Sequence, residues 1–544
     1  MSNFIIAQGI IVLIGVLVYS LFFRRKRDAL LPLPPGPRPL PFLGNIRDGP
    51  PKGVPDFLHW LTFKDKYGPI SSLTVLGQTI IILQDQDAAT ELLEKKESLK
   101  TSGRPGFTFT QMCGYNRFLP MRQYDDKFRL QRKLLHQQIG TKLLASQYTE
   151  IQDVEVKRFL LRVLNDPDNL INHIRSYGKP SLTNPTAAAI ILKVTYGYSI
   201  ESHKPDALVK LIEEVTEHSG QASLPLRWTV DLIPSLQRLP DWFPGAGFKR
   251  IAREAKANLD ASADLPFDFV KQQMATGTYR ESFCSKLIKA FRNDANEIGQ
   301  DIEYAIRWAA GFMFAGGSDT TVATIIAFVL AMIMNPDVQR KAQEEIDRVV
   351  GPHRLPTRDD RENLPYINAI VKESLRYFPV APMGVPHMAS EEVFFRGYRI
   401  PSGSYILPAT WWFLHDPKTY AEPSEFNPER FLAPRNEQDP DAVFGHGRRV
   451  CPGRYIAQES LYLTISQTLA VFNIGKAMKG GKPVEVECKH TTGIVDHPAK
   501  FEYSIVPRSE KHAELIRRVE VDHPWGGSSG EAIQGSAILD KFRG

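Results

Sequence analysis

The sequence predicts a mainly α-helical body with smaller β-sheets, set behind a single membrane-spanning helix. Three observations carry that expectation. Residues 4–23, FIIAQGIIVLIGVLVYSLFF, run for 20 residues without a charge. From about 86 to 380 apolar residues recur at helical spacing, as in DAATELLEKK (87–96), YDDKFRLQRKLLHQQI (124–139) and PDVQRKAQEEIDRVV (336–350). Runs rich in β-branched residues flank that stretch: PISSLTVLGQTIIILQD (69–85), VFFRGYRIPSGSYI (393–406) and FEYSIVPR (501–508). With 42% hydrophobic and 24% charged residues the composition is globular. No Gly/Ser linker or composition break divides the body, so one large mixed domain is favoured over several.

The elements follow in chain order. A helix over 4–23 spans about 30 Å, the thickness of a bilayer core. RRKR (24–27) follows it, whereas a cleaved signal carries its charge first, is shorter and ends in small residues. A retained anchor is expected, with everything downstream on the cytosolic side. Residues 24–45 are a basic, proline-rich hinge, with six prolines in LPLPPGPRPLPFLGN (31–45) holding an extended, semi-rigid backbone. The body covers 46–508. The segment 509–544 reads as a short polar helix and a flexible end. The formal charge of +6 is small for 544 residues and gives no reason to expect nucleic acid. Cysteines at 113, 284, 451 and 488 form no C-x-x-C pair, which argues against a disulfide framework or zinc site and suits a reducing compartment.

Three stretches carry chemistry. GFMFAGGSDTTVATIIAFVLAMI (311–333) is apolar except for Gly316-Gly317-Ser318-Asp319-Thr320-Thr321, which reads as an interruption of a helix or as a loop between two helices. In KESLRYFP (372–379), Glu373 and Arg376 share a helical face, and taken alone they read as a surface ion pair. FGHGRRVCPG (444–453) sets Cys451 among glycines, beside Arg448 and Arg449, whose charge is expected to favour the thiolate. The glycines at 445, 447 and 453 permit unusual backbone angles, and a helix starting at 454 aims its positive end near the sulfur.

The spacing F-x-x-G-x-R-x-C-x-G, met by Phe444, Gly447, Arg449, Cys451 and Gly453, resembles the haem-binding loop of the cytochromes P-450, the haem-thiolate monooxygenases. GGSDTT is similar to that family's oxygen-side helix, and E-x-x-R with FNPERF (426–431) to its structural triad. LPDWFPGAGFKR (239–250) resembles basidiomycete fungal members. The resemblance runs from the anchor to about Arg508.

The resemblance implies the cytochrome P-450 fold and a haem b with Cys451 as axial thiolate. In it Thr320 hydrogen-bonds the bound dioxygen and Asp319 helps relay protons. Glu373, Arg376 and Arg430 hold the haem loop. Arg449, Arg132 and His387 face the haem propionates, with Phe128 standing where tryptophan is usual. Phe107, Phe109, Met112, Trp308, Phe312, Val380, Ala381, Met383 and Ile494 line an apolar substrate pocket. The implied reaction hydroxylates a lipophilic small molecule with O₂ in fungal secondary metabolism, a terpenoid first, with an aromatic, indole or polyketide scaffold or a xenobiotic as alternatives. The implied setting is the endoplasmic reticulum membrane. Electrons come from NADPH-cytochrome P-450 reductase, with cytochrome b5 as a further candidate, onto a basic face of Lys127, Arg129, Lys133, Arg448 and Arg454. A haem-thiolate isomerase or dehydratase, and a non-catalytic haem or scaffold protein, are the rival readings; the intact Asp319-Thr320 pair speaks against the first.

Overall fold

A computed structural model of the chain describes residues 31–175, 186–200, 206–224, 227–294, 297–525 and 527–533, with Leu539. The expected anchor over 4–23 and the RRKR cluster lie outside the described residues. Among these, one helix, Gln300–Met334, is long and apolar enough to cross a membrane, and it is mostly buried inside the body.

The architecture is mainly helical with small sheets, as the hydrophobic periodicities predict. Helix α1 (Asp56–Tyr67) precedes a hairpin of β1 (Ile70–Val75) and β2 (Gln78–Leu83). Then come α2 (Gln86–Leu93), α3 (Thr108–Met112), α4 (Asp126–Ile139), α5 (Lys142–Ser146), α6 (Thr149–Asn165) and α7 (Leu170–Ile174). They lead to α8 (Thr186–Tyr196), α9 (Ala207–Ala222), α10 (Thr229–Leu232), α11 (Gly247–Thr276) and α12 (Phe283–Phe291). The long α13 (Gln300–Met334), α14 (Pro336–Val349) and α15 (Pro365–Tyr377) complete the helical half. After it lie β3 (His387–Met388), β4 (Val393–Phe395), β5 (Tyr398–Ile400), β6 (Tyr405–Pro408) and α16 (Thr410–Phe413). The chain closes with α17 (Arg454–Val471), β7 (Phe472–Gly475), β8 (Met478–Lys479), β9 (Lys482–Pro483), β10 (Ser504–Pro507) and α18 (Glu510–Asp522).

Helix starts follow local chemistry: the Asp85 carboxylate accepts the Ala88 amide at 2.6 Å, and Asp125 accepts that of Phe128 at 2.7 Å. The main sheet runs β1-β2-β6-β3. Ile70 faces Leu83 across the antiparallel hairpin, and Ile80 aligns with Tyr405 across the parallel β2–β6 pair. Its buried Ile81, Leu83 and Ile406 pack on Ala88, Ala89 and Leu92 of α2. The proline-rich segment is seated on this sheet. Pro34 and Pro35 carbonyls accept the Ser72 hydroxyl and amide at 2.6 and 2.8 Å, Pro32 O accepts Arg399 N, and a Cβ on Gly36 would run into Ser72 O.

The main core surrounds α13, which packs against α4, α8, α11 and α17. α13 is one unbroken helix, so the polar stretch at its middle is neither a break nor a loop. Two facts explain its composition. A Cβ on Gly317 would stand 2.8 Å from Ile191 Cγ1, so glycine lets α8 approach. Residues 316–321 are half-accessible although both flanks of the helix are buried, so this stretch borders an internal space. In the C-terminal segment, α18 buries Ala513, Ile516 and Val519 against α6. Beyond it, Trp525 covers the guanidiniums of Arg158 and Arg162, and Ser529 N donates to Ser199 O at 2.9 Å. The end expected to be flexible is docked over these described residues.

Candidate functional site

The 444–453 loop lies between α2 and the start of α17. Cys451 N donates to Phe444 O at 2.7 Å, closing the turn. Gly447 has φ +49°, and a Cβ there would stand 2.5 Å from Leu93 O, so the loop rests on the end of α2. His446 locks the same contact through Glu94 Oε1 at 2.9 Å, and that hydrogen bond holds the Glu94 carboxyl below its ordinary value. Gly445 also has positive φ, but Gly453 does not: at φ −88° it is an ordinary N-cap, and what it offers the sulfur is its backbone N–H.

Arg448 and Arg449 do not act on the sulfur as expected. Arg449 donates to the carbonyls of Ser102 and Arg122 at 2.7 and 2.8 Å and lies 3.9 Å over the ring of Phe128. Arg448 is exposed beside the Tyr124 hydroxyl. Burial pushes the Cys451 thiol up, and the Gly453 N–H, Arg132 and Arg454 only partly offset it. A cation bound directly at the sulfur would favour the thiolate form.

Around the loop, the structure gathers three arginines and a histidine from four distant segments, Arg104 and His387 buried, Arg132 and Arg449 half-buried. Arg132 Nη1 donates to Val450 O at 2.7 Å, and its field reaches Cys451. Arg104, 4% exposed, donates to Val385 O and Pro386 O at 2.8 and 2.7 Å and leaves its Nε without a partner. His387 Nδ1 donates to Thr101 O at 2.9 Å. Burial lowers the pKa of Arg104, of His387 and of Arg132, and it brings Arg449 down to about 9, with the neighbouring cations adding to the effect. Among the described residues no carboxylate bonds any of the four; Asp125, whose field reaches Arg449, is taken up by Arg122 at 2.9 and 3.0 Å. Three arginines brought this close, one of them buried, are better tolerated with anions beside them.

These donors fit a haem. The Cys451 thiol would hold its iron, and the guanidiniums, with the orphaned Arg104 Nε, would hold its two propionates. Arg104 was missed by sequence reasoning. Its signal is faint, a lone arginine before a proline in SGRP (102–105).

On α13, Thr320 Oγ1 donates to Gly316 O at 2.8 Å, so its hydroxyl lies along the helix beside the open stretch. The Asp319 carboxylate is held by His497 Nε2 at 3.3 Å and by Arg175 at 3.8 Å. Burial pushes the Asp319 carboxyl up, but the His497 hydrogen bond and the charges of His497 and Arg175 outweigh it, leaving it below its ordinary value. Glu373, Arg376 and Arg430 meet in the interior, each 0% exposed. Glu373 accepts Arg376 Nε and Nη2 at 2.7 and 2.8 Å, Arg430 Nε at 3.1 Å and Asn427 N at 2.8 Å. The surface-pair alternative is thereby excluded.

The pocket residues divide. Phe107, Met112, Phe312, Val380, Ala381 and Ile494 are half-buried. Phe109 is fully buried, stacked 3.6 Å from Trp228, and Trp308 is buried under Arg117, so these two serve packing. Met383 packs beside Tyr405 against the main sheet. Phe118, absent from the expected set, meets Phe312 and Trp308 edge-on. Lys127, Arg129, Lys133 and Arg448 are exposed and Arg454 half-buried; Arg129 is paired with Asp126.

The family model described as Cytochrome P450 matches residues 34–505. The chain is 46% identical over 536 residues to Cytochrome P450 monooxygenase CLM2 of Gibberella zeae, covering 97% of this chain and 99% of that relative. It is 47% identical over 514 residues to Multifunctional cytochrome P450 monooxygenase af510 of Aspergillus fumigatus, covering 93% and 94%. It is 43% identical over 524 residues to Cytochrome P450 monooxygenase claR of Ampulloclitocybe clavipes, covering 95% and 93%.

Proposed function

The chain belongs to the cytochrome P450 family and is a haem-thiolate monooxygenase, and from that premise we propose that Cys451 is its axial ligand and that it hydroxylates a lipophilic small molecule. When bound, the haem supplies the chemistry of R–H + O₂ + 2e⁻ + 2H⁺ → R–OH + H₂O. The carrying observation is a half-buried thiol in the field of Arg132, with buried Arg104 and His387 and half-buried Arg449 grouped nearby, none of the four bonded by a carboxylate among the described residues.

Each residue then has a role of its own. Cys451 gives the thiolate, and the Gly453 N–H tempers its charge. Arg104, Arg132, Arg449 and His387 would bind the two propionates. Glu373, Arg376 and Arg430 stiffen the turn that leads into the loop. Thr320, whose hydroxyl proton goes to Gly316 O, would keep its oxygen lone pairs free to accept a hydrogen bond in the open stretch of α13, and Asp319 would pass protons toward that stretch. Phe118, Phe312 and the half-buried aliphatic residues bind substrate and exclude water. Lys127, Lys133 and Arg448 form the docking face for an acidic reductase that draws on NADPH. Exposed apolar side chains support a membrane-facing body: Trp242 at 80%, with Phe243 and Ile233, and Phe42 at 80% close to the expected anchor. We place the substrate in fungal-type secondary metabolism, a terpenoid first. The aromatic rings of Phe118 and Phe312 favour a polycyclic aromatic scaffold as the second reading.

Two measurements test this. The reduced, carbon-monoxide-treated protein is expected to show the red-shifted Soret band of thiolate ligation, and Cys451→Ala to abolish it; retention of the band by the variant refutes the ligand assignment. Expression with a reductase and a panel of terpenoids and aromatics is expected to yield hydroxylated product only with NADPH. Turnover without reductase refutes the reaction class.

A further inference from the structure

Resting on the reading of Asp319 as a proton-passing group, we infer that His497 is the residue that positions it. His497 is nearly fully buried, on a segment 178 residues away in sequence. Its Nε2 lies 3.3 Å from both Asp319 oxygens, and its Nδ1 is buried without a partner. The ring's polar contact among the described residues is thus Asp319 alone. Burying an imidazole with one nitrogen unsatisfied is costly, and core packing alone would be better served by an apolar side chain. The contact itself is the reason to keep it.

The segment carrying His497 is built to hold it still. His497 N donates to Thr491 Oγ1 at 2.9 Å, and Thr491 N donates to the His497 carbonyl at 3.1 Å. Asp496 accepts the Thr491 amide at 2.9 Å and bonds His490 Nδ1 at 2.5 Å, while His490 stacks on Phe378. Asp496 N donates to Val380 O at 2.8 Å, and Ile494 lies at the turn. Val380 and Ile494 are both proposed pocket residues. One rigid unit therefore joins the substrate wall to the carboxylate. With Nε2–H donating at 3.3 Å and Arg175 at 3.8 Å, His497 holds the Asp319 carboxylate in one orientation beside the open stretch of α13.

The test uses full-length haem-loaded protein and the variants Asp319→Asn, His497→Leu, His497→Gln and the double Asp319→Asn/His497→Leu, each first shown to give the normal carbon-monoxide band. Reduced protein is mixed with aerated buffer in H₂O and in D₂O, and its reoxidation is followed by absorbance. Asp319→Asn is expected to change the rate about five-fold or more, as loss of a proton-transferring group does, and to alter the solvent isotope effect. His497→Leu is expected to do the same, with no further change in the double variant. His497→Gln, which keeps an N–H donor, is expected to stay within about two-fold of the parent. Thermal unfolding of the parent, the Asp319→Asn and His497→Leu variants and the double variant supplies a second readout: the Tm loss of the double variant is expected to be smaller than the sum of the single losses. If Asp319→Asn changes reoxidation and His497→Leu does not, His497 is overturned alone. If Asp319→Asn is itself silent, the Asp319 reading fails and the proposal falls with it. Additive Tm losses, or Gln behaving like Leu, also overturn it.

Discussion

Replacing Glu373 by Gln removes the one carboxylate that joins two buried guanidiniums. In the native arrangement four donors converge on it within 3.1 Å, and neither Arg376 nor Arg430 has any exposed surface. The Gln oxygen can accept some of these hydrogen bonds. Its NH₂ faces guanidinium N–H groups where an oxygen stood 2.7 Å away, so one donor meets another. Arg430 keeps Glu437 at 2.8 Å, but Arg376 is left with the carbonyls of Leu414, Pro423 and Glu425. Breaking a buried pair in this way costs about 3–5 kcal/mol. For a body of this size the unfolding entropy is about 1 kcal/mol per degree, so Tm falls by about 3–5 °C. Arg430 sits on the turn at Pro428–Phe431 that leads toward Cys451, so haem retention falls as well. Differential scanning calorimetry of holoprotein, with haem content from absorbance, measures both. A Glu373→Gln variant melting within about 1 °C of the parent with full haem refutes the reasoning that the uncompensated charge is what matters.

Three further outcomes follow from the geometry. Gly317→Val drives methyl groups into Ile191 and is expected to cost about 1–3 kcal/mol in urea unfolding, a loss partly recovered by adding Ile191→Ala. Asp360, bonded at 2.6 Å by two Arg354 nitrogens, has its pKa lowered to about 2, chiefly by that hydrogen bond. Its folded value lies below the unfolded one, so the stability it adds is full above the model-peptide value of 3.8 and is lost as pH falls through about 2. The Tm difference between parent and Asp360→Asn should therefore be constant from pH 7 to 5 and shrink on further acidification; a difference that grows below pH 4 contradicts the pairing. Trp525→Ala removes the ring lying 4.7 Å from Arg158 and is expected to cost about 1–2 kcal/mol and to speed proteolysis of the segment after α18.

What the sequence alone determined was whatever is set by neighbours a few residues apart. The helices over 126–139 and 336–349 follow from apolar spacing and caps, the 70–83 hairpin from β-branched alternation, and the cysteine loop from its own spacing. What only the tertiary structure decided involves groups far apart in the chain. The polar stretch of α13 is continuous helix, and its composition reflects Gly317 admitting Ile191 and the accessibility of 316–321, neither of which propensity can reveal. Arg449 points to the carbonyls of Ser102 and Arg122, not to the sulfur, and Arg104 joins it from 345 residues earlier. His497 meets Asp319 only once the 490–498 segment folds over α13. Local propensity acts through a few bonds of backbone, whereas burial and charge act through space, so a cluster of arginines exists only after distant segments have been packed together.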